Sequence, residues 1–262
     1  MHRAFWATAL AGMCGAAQAQ DAAPAVQASL GVVHRTLTER ANGTTLLTER
    51  GFLPQAQVAI VRTLPSGAAV AAAASLVGGD LDYHGQTQAA APLSTTTRQF
   101  ELLADLLWRP LAPAPWGEAW LALEWLGNRR AIESTPAAGG LDETSRALLV
   151  GVRWVSPGFG TLAGWQAHAE VDARVSVQHH LGIDYRGLLD TSHIGGARKH
   201  QGALRLVGRQ AQSPWSWDIE AARLSQGASD AAPVYRNGAL FGTVRQPALA
   251  IDDVTLRVSR RF

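Results

Sequence analysis

The chain is almost without cysteine and lysine, and it has no long hydrophobic run beyond its first residues. Its single cysteine is Cys14 and its single lysine is Lys199. Because no cysteine follows residue 19, neither disulfides nor thiol chemistry can account for the stability or activity of the exported part. Because no long apolar run follows residue 19 either, the chain cannot cross a bilayer as helices.

Charge and hydropathy exclude little else. The formal net charge is +2, and the basic residues are spread along the chain. They form no basic stripe of the kind that binds nucleic acid, so we expect no nucleic-acid partner. The mean hydropathy of −0.01 is that of a soluble protein. A membrane β-barrel has the same average, because only every second residue of its strands faces lipid.

The N-terminus has the layout of a secretory signal peptide. A basic start at residues 2–3 and an apolar stretch over residues 4–13 precede the A-x-A site Ala17-Gln18-Ala19. We predict cleavage after Ala19, which removes Cys14 with the signal peptide over residues 1–19. Lipidation at Cys14 is the weaker alternative. Residues 20–27 form a short leader, and residues 28–262 form one domain, because no break in composition divides them.

Runs of alternating apolar and polar residues recur along this domain and predict strands with two different faces. In the clearest run, residues 165–177, every apolar residue is followed by a polar or charged one. Ten such runs give ten strands, an even number as in bacterial single-chain barrels. The predicted strands are 28–40, 52–64, 68–79, 97–110, 116–127, 143–155, 161–177, 201–210, 215–226 and 248–262.

The connections between these strands alternate between two kinds. Those after Leu64, Pro110, Val155 and Gln210 are short and rich in Pro or Gly. The intervening ones are longer, around residues 41–51, 80–96, 128–142, 178–200 and 227–247. A barrel with one end in the periplasm predicts such sorting. Six tryptophans lie close to the short turns, where they would form an aromatic girdle at the periplasmic interface of the membrane: Trp108, Trp116, Trp154, Trp165, Trp215 and Trp217.

The last residues carry a resemblance to a class of proteins. The chain ends Val254-x-Leu256-x-Val258-x-Arg260-x-Phe262, which resembles the terminal strand of Gram-negative outer-membrane β-barrels, although that pattern usually has an aromatic residue where Arg260 stands. The resemblance implies a transmembrane antiparallel up-and-down barrel of about ten strands in the outer membrane, with short periplasmic turns and long extracellular loops. It also implies contact with outer-membrane lipid and lipopolysaccharide, and recognition of Phe262 by the barrel-assembly machinery. We expect a monomer.

Ten strands are also the number in the omptins, outer-membrane proteases that use acidic residues and an Asp–His pair above the rim. The similarity here lies in architecture and residue types. Two carboxylates one residue apart could hold a water that an Asp–His pair activates. The candidate catalytic residues on this hypothesis are Asp80, Asp82, Asp184 and His193. A lipid hydrolase would need a serine beside a histidine, and the candidate serines are Ser94, Ser134 and Ser192, which lie in long connections.

No motif for a phosphate, a cofactor or a metal occurs, and we expect no cofactor. A histidine cluster is the one metal candidate: His179, His180, His193 and His200, with Asp184. Adjacent histidines in a strand point to opposite faces, so they make poor joint ligands and we expect no metal. Asp82 and Tyr83 are the candidate ligand-binding residues of the second long connection. Residues of these types more often simply form the turn between two strands.

Charged residues of both signs would line the interior of the barrel: Glu101, Asp105, Arg109, Glu118, Glu124, Arg153, Glu170, Asp172, Arg174, Arg205, Arg209, Asp218, Glu220, Arg257 and Arg261. A ten-stranded lumen crossed by ion pairs is expected to be closed, since open channels need about 16 strands. The leading hypothesis is a non-enzymatic barrel with a closed polar lumen and extracellular loops that contact a ligand or partner. The alternatives are an enzyme of the outer rim, a narrow selective channel, and a soluble periplasmic β-domain.

Overall fold

The computed structural model describes residues 24–86, 91–162, 164–195 and 197–262. The predicted signal peptide and the start of the leader lie outside this range. Every regular element in the described part of the chain is a β-strand. The described residues contain no helix with the length and apolar character that crossing a membrane requires.

Ten long strands form the wall of a barrel: β1 (Ala25–Ala41), β2 (Thr44–Thr63), β3 (Ala69–Gln86), β4 (Pro92–Arg109), β5 (Glu118–Ile132), β6 (Leu141–Val155), β8 (Trp165–Asp184), β10 (Lys199–Gln210), β11 (Trp215–Gln226) and β14 (Ala248–Arg261). Four short strands lie in the connections: β7 (Phe159–Leu162), β9 (Ser192–Gly195), β12 (Ala232–Arg236) and β13 (Ala239–Val244). Each long strand pairs antiparallel with the one before and the one after it along the chain.

The barrel closes through the pairing of the first strand with the last. The β1–β14 ladder runs from Gln27 opposite Arg261 to Arg40 opposite Ala248. Two contacts add to it: the hydroxyls of Ser29 and Ser259 lie 2.8 Å apart, and the backbone N–H of Phe262 donates to Val26 over 2.9 Å. The predicted all-β, ten-stranded, up-and-down antiparallel barrel is confirmed.

The two faces of the wall differ as the alternation requires. On β4 all outward residues from Phe100 to Trp108 are apolar, and Phe100, Leu106 and Trp108 are exposed. Equivalent residues on the other long strands complete an outward ring, which we call the apolar belt. Eight residues of strand span about 26 Å, which at the usual tilt of barrel strands gives a belt roughly 20 Å tall.

The two ends of the barrel also differ. The start of β1, the end of β14 and the residues 64–68, 110–117, 156–162 and 211–214 lie at one end, called here the turn end. The other, called the loop end, carries the ends of β3 and β4 that follow the belt and the residues 133–140, 185–195, 197–198 and 227–247. Predicted strand limits are accurate within a few residues at the turn end. At the loop end most of the strands run further, because backbone pairing continues above the apolar belt after the apolar–polar signal has changed.

The first connection at the loop end corrects a prediction. In place of a long loop around residues 41–51, β1 and β2 are joined by the two residues Asn42 and Gly43, whose φ angles are 50° and 80°. Asn-Gly is the sequence preferred in such two-residue turns, because both positions need positive φ. The alternation of short and long connections is therefore not strict, although the last two at the loop end are the longest in the chain.

Candidate functional site

The centre of the lumen is crossed by a network of buried ion pairs. The guanidinium of Arg174 on β8 donates to three carboxylates: to Asp172 over 2.6 Å, to Glu124 over 2.6 Å and to Asp105 over 2.9 Å. Arg153 on β6 also donates to Asp172, over 2.9 Å. These side chains come from β4, β5, β6 and β8, so the network holds one half of the barrel wall together.

A second group of ion pairs occupies the opposite half of the wall. Arg205 on β10 donates to Glu220 over 2.7 Å, and Arg257 on β14 donates to Asp218 and Glu220 over 2.8 Å each. Arg205 also reaches Glu170 on β8 at 3.3 Å, which links this group to the first half of the wall. Charges buried in this way stabilise the fold only when they are paired, because an isolated buried charge is costly.

The part of the lumen nearer the loop end contains two further arginines that the sequence analysis did not place. Arg35 contacts Glu101 at 3.2 Å and Asp253 at 2.7 Å. Arg130 contacts Glu39 at 2.8 Å, and Glu49 and Glu143 at 2.7 Å each. The charged residues here that sequence reasoning missed are Arg35, Glu39, Glu49, Arg130, Glu143, Lys199 and Asp253. If the predicted strands β1 and β2 had been extended to the Asn-Gly turn, the inward positions of Glu39 and Glu49 would have followed from the alternation.

The lumen is not polar throughout, because apolar side chains fill its turn end. Trp120 is 2% exposed and packs in one buried cluster with Val61, Leu107, Val155 and Val207. We call these five residues the plug. Below the ring of Trp120, an ion pair joins Arg109 to Glu118 at 2.8 Å with both side chains almost fully buried. The guanidinium lies 5.3 Å from the Trp120 ring centroid, so the plug is sealed by a charged pair as well as by packing.

A cavity of about 180 Å³ lies within the lumen. Its lining includes the ion pairs of Arg35, Arg174 and Arg205, and a group of apolar side chains, Leu103, Leu126, Leu224, Leu249 and Ile251. It also includes Lys199, the first residue of β10, which is 4% exposed. The cavity therefore offers charged and apolar walls to the same volume.

The four candidate catalytic residues do not face this cavity. Asp80 and Asp82 lie on the outward face of β3, where Asp80 contacts the exposed Arg98 at 3.2 Å. Asp184 ends β8 and accepts a hydrogen bond of 2.8 Å from the backbone N–H of Arg186, as a turn-forming aspartate does. His193 is exposed on β9. The structure thus brings Asp184 and His193 to the same part of the loop end and leaves Asp80 and Asp82 four strands away.

The two candidate ligand-binding residues lie on opposite faces of β3. Asp82 is exposed on the outward face, whereas Tyr83 is 6% exposed and packs inward with Leu37, Leu47, Ile132 and Leu249. Because the two side chains lie on opposite sides of the barrel wall, one small ligand cannot contact both of them. Tyr83 serves as part of the inner packing at the loop end.

Of the three candidate serines, Ser94 is the one whose hydroxyl lies within hydrogen-bond distance of a histidine ring among the described residues. His84 on β3 lies opposite Ser94 on β4, and the His84 Nδ1 atom is 3.1 Å from the Ser94 hydroxyl. Both side chains are exposed on the outward face. Ser134 accepts a hydrogen bond from the backbone of Gly140 over 3.0 Å, and Ser192 is buried beside Tyr185.

The histidines considered as metal ligands are separated by the strand geometry. His179 points inward and is 9% exposed, whereas His180 points outward, with its Nε2 atom 2.9 Å from the side-chain amide of Gln178. His193 and His200 are exposed. Within residues 24–86, 91–162, 164–195 and 197–262, no group of three or more metal-binding side chains converges.

The six tryptophans of the predicted girdle lie near the turn end, on the outer surface. Trp108, Trp116, Trp154 and Trp215 are exposed, and the half-buried rings of Trp165 and Trp217 are 6.3 Å apart. Arg260 lies against two aromatic rings, with its guanidinium 5.6 Å from the centroid of Trp215 and 5.2 Å from that of Phe262. At the position where the usual terminal pattern has an aromatic residue, Arg260 therefore packs against two aromatic rings.

Comparison with known proteins gives similarity in fold. No protein-family model matches the chain, and no curated protein matches its sequence significantly. The outer membrane protease OmpT from Escherichia coli is similar over 91% of this chain and 96% of its own, with a TM-score of 0.56 and 12% identity.

Two further solved structures match over most of their length with lower TM-scores. The translocator domain of the autotransporter NalP from Neisseria meningitidis has a TM-score of 0.44, 13% identity and coverage of 90% of this chain and 88% of its own. The toluene transporter TodX from Pseudomonas putida has a TM-score of 0.31, 9% identity and coverage of 91% and 90%. The predicted resemblance is confirmed: the chain has the fold of the bacterial outer-membrane β-barrels.

Proposed function

We propose that this chain is an exported barrel of the Gram-negative outer membrane, with its turn end in the periplasm and its loop end outside the cell. The apolar belt supports membrane insertion, because its height of roughly 20 Å approaches the 25 Å that such barrels present to lipid. The aromatic residues near the turn end support the orientation. Phe262, exposed at the end of the closing strand, is then the residue that the assembly machinery reads.

Fractionation and gel electrophoresis test this location. The chain, expressed with its N-terminal segment, is expected in the outer-membrane fraction, and the unboiled sample is expected to migrate faster than the boiled one, because a closed barrel resists detergent. Recovery from the periplasm with no difference between the two samples would contradict the proposal and favour a soluble β-domain.

The barrel is proposed to be sealed and non-enzymatic. The plug and the paired arginines occupy the lumen, so that a cavity of about 180 Å³ takes the place of a continuous aqueous path. The candidate catalytic residues are exposed, with Asp80 and Asp82 on β3 and Asp184 and His193 four strands away, where water competes for every hydrogen bond. The role that remains for the molecule is interaction at its loop end.

The observation that carries this role is an ordered hairpin at the loop end. Strands β12 and β13 pair with each other, and the carboxylate of Asp190 accepts hydrogen bonds from the backbone of Asn237 and Gly238 over 3.1 and 2.8 Å. The hairpin exposes Tyr235, Leu240 and Phe241, and the guanidinium of Arg236 lies 4.5 Å from the Phe241 ring centroid. Grouped apolar and cationic side chains on a fixed support favour a binding surface.

We propose that this hairpin surface binds a molecule of the cell surface, with lipopolysaccharide as the first candidate because it surrounds any barrel of the outer membrane. The probe is purified lipopolysaccharide of the producing strain, added to the folded barrel in detergent. The double variant Leu240→Ser/Phe241→Ser is expected to bind at least about tenfold more weakly. Leu111→Ser is the matched control, since Leu111 is exposed at the turn end. Equal binding by the double variant and the wild type would refute the proposal.

A second candidate function, a lipid hydrolase of the outer rim, is favoured by the contact between His84 and Ser94. Asp82 lies two residues before His84 on the same outward face, close to where lipid headgroups would be. Fatty-acid release from phospholipid micelles that is lost in Ser94→Ala and kept in Ser134→Ala would establish this hydrolase. No release by the folded wild type would exclude it.

A further inference from the structure

Within the described part of the chain, the contacts of Lys199 differ from those of six arginines that line the lumen. The arginines at positions 35, 130, 153, 174, 205 and 257 each contact at least two carboxylates. The backbone N–H of Lys199 donates to the Ser176 hydroxyl over 2.8 Å, which fixes the start of β10. In the part of the chain that the structure describes, its ammonium group forms neither an ion pair nor a hydrogen bond, although the residue is 96% buried.

The ammonium group is held in the wall of the lumenal cavity. The acidic residues that act on it from other strands are Glu101 and Glu143. Both have nearer partners, since Glu101 contacts Arg35 at 3.2 Å and Glu143 contacts Arg130 at 2.7 Å. Lys199 therefore supplies three unused hydrogen-bond donors and a positive charge to this cavity. A buried charge without a counter-ion is costly, so a bound anion there is favoured.

The same cavity has an apolar wall. Leu103, Leu126 and Leu224 pack together across the lumen, and Leu249 and Ile251 continue this surface on β14. A volume of about 180 Å³ is close to that of an engineered cavity of roughly 150 Å³ that holds benzene. The space thus fits a single aromatic ring or a short alkyl chain, with an anionic group at the lysine.

We propose that the lumenal cavity binds a small amphipathic monocarboxylate of about six to eight carbons, with its carboxylate on Lys199 and its hydrocarbon part against Leu103, Leu126 and Leu224. This binding site rests on one part of the proposed function, the sealed lumen, because the plug closes the turn end of the cavity. Gln246 and Leu249 belong to the lining, so the ligand is expected to enter from the loop end.

Benzoate is the probe, and titration calorimetry on the folded full-length barrel in detergent measures its binding. Benzoate is expected to bind the wild type at least about tenfold more tightly than it binds Lys199→Met, and at least about tenfold more tightly than benzyl alcohol binds the wild type. Arg98→Met, which removes an exposed cation outside the lumen, is the matched control and is expected to bind as the wild type does. No benzoate binding, or equal binding by Lys199→Met, overturns the proposal.

A second measurement needs no variant. Because Lys199 is the only lysine of the chain, reductive methylation of the wild type modifies one side chain, and mass spectrometry of the peptide reports its rate. Benzoate is expected to slow this methylation, whereas an unchanged rate contradicts the site. Ion conductance by the wild-type barrel would instead overturn the sealed lumen of the proposed function, so the two failures are distinguishable.

Discussion

Replacement of Arg174 by methionine tests whether the ion pairs of the lumen are buried and coupled. The substitution removes five hydrogen bonds from one guanidinium to Asp105, Glu124 and Asp172. Breaking a buried ion pair on one side costs about 3–5 kcal/mol, because a charge is left uncompensated. Asp105 and Asp172 keep contacts with Arg153, so we expect a loss near 3 kcal/mol, measured by urea unfolding of the barrel in lipid vesicles.

Two matched variants make this prediction sharper. Arg98→Met removes the same type of side chain from an ion pair that is exposed on both sides, and we expect a change of at most about 1 kcal/mol. Glu124→Gln added to Arg174→Met removes the carboxylate that has lost its partner, so about 1–2 kcal/mol should return. A loss in Arg174→Met no larger than that in Arg98→Met would refute the view that these pairs are buried and mutually dependent.

Three further predictions concern the plug, the wall and the terminus. Trp120→Ala should lower the free energy of unfolding by about 3–5 kcal/mol, measured by urea titration, because the ring is fully enclosed. Gly208→Ala should cost about 1–3 kcal/mol in the same titration, since a Cβ atom there would clash with the Trp217 ring. Deletion of Phe262 should reduce the amount of barrel in the outer membrane, measured by immunoblot, and an unchanged amount would contradict its role in sorting.

The wall at the level of the apolar belt could be predicted from sequence, because an apolar outer surface and a polar lumen impose a period of two. The runs that end at Trp108 and begin at Trp215 are examples, and their limits at the turn end agree with the structure. Above the belt the outward residues become polar, and the inward residues include both charged side chains, such as Glu49 and Arg130, and apolar ones, such as Leu47 and Tyr83. The apolar–polar alternation is lost there, and the predicted strands therefore end too early.

The placement of Asp80 and Asp82 shows how this loss of alternation affects a functional interpretation. Leu76 and Ala74 face outward in the belt, and counting in steps of two from them puts Asp80 and Asp82 on the same outward face. Because the predicted strand ends at Gly79, the sequence pattern does not reveal that Asp80 and Asp82 share this face. The pairing of Arg130 with three glutamates could not be predicted, because the four side chains come from β1, β2, β5 and β6 and meet only across the closed lumen.

Single-channel recording in planar lipid bilayers tests the sealed barrel most directly. The sample is the folded full-length protein, checked for the gel shift between boiled and unboiled forms, so that a misfolded preparation is not measured. The plug and the paired arginines predict no stable conductance steps at any applied voltage that the bilayer withstands. Stable steps on the nanosiemens scale would contradict the account and show that the lumen is an open path.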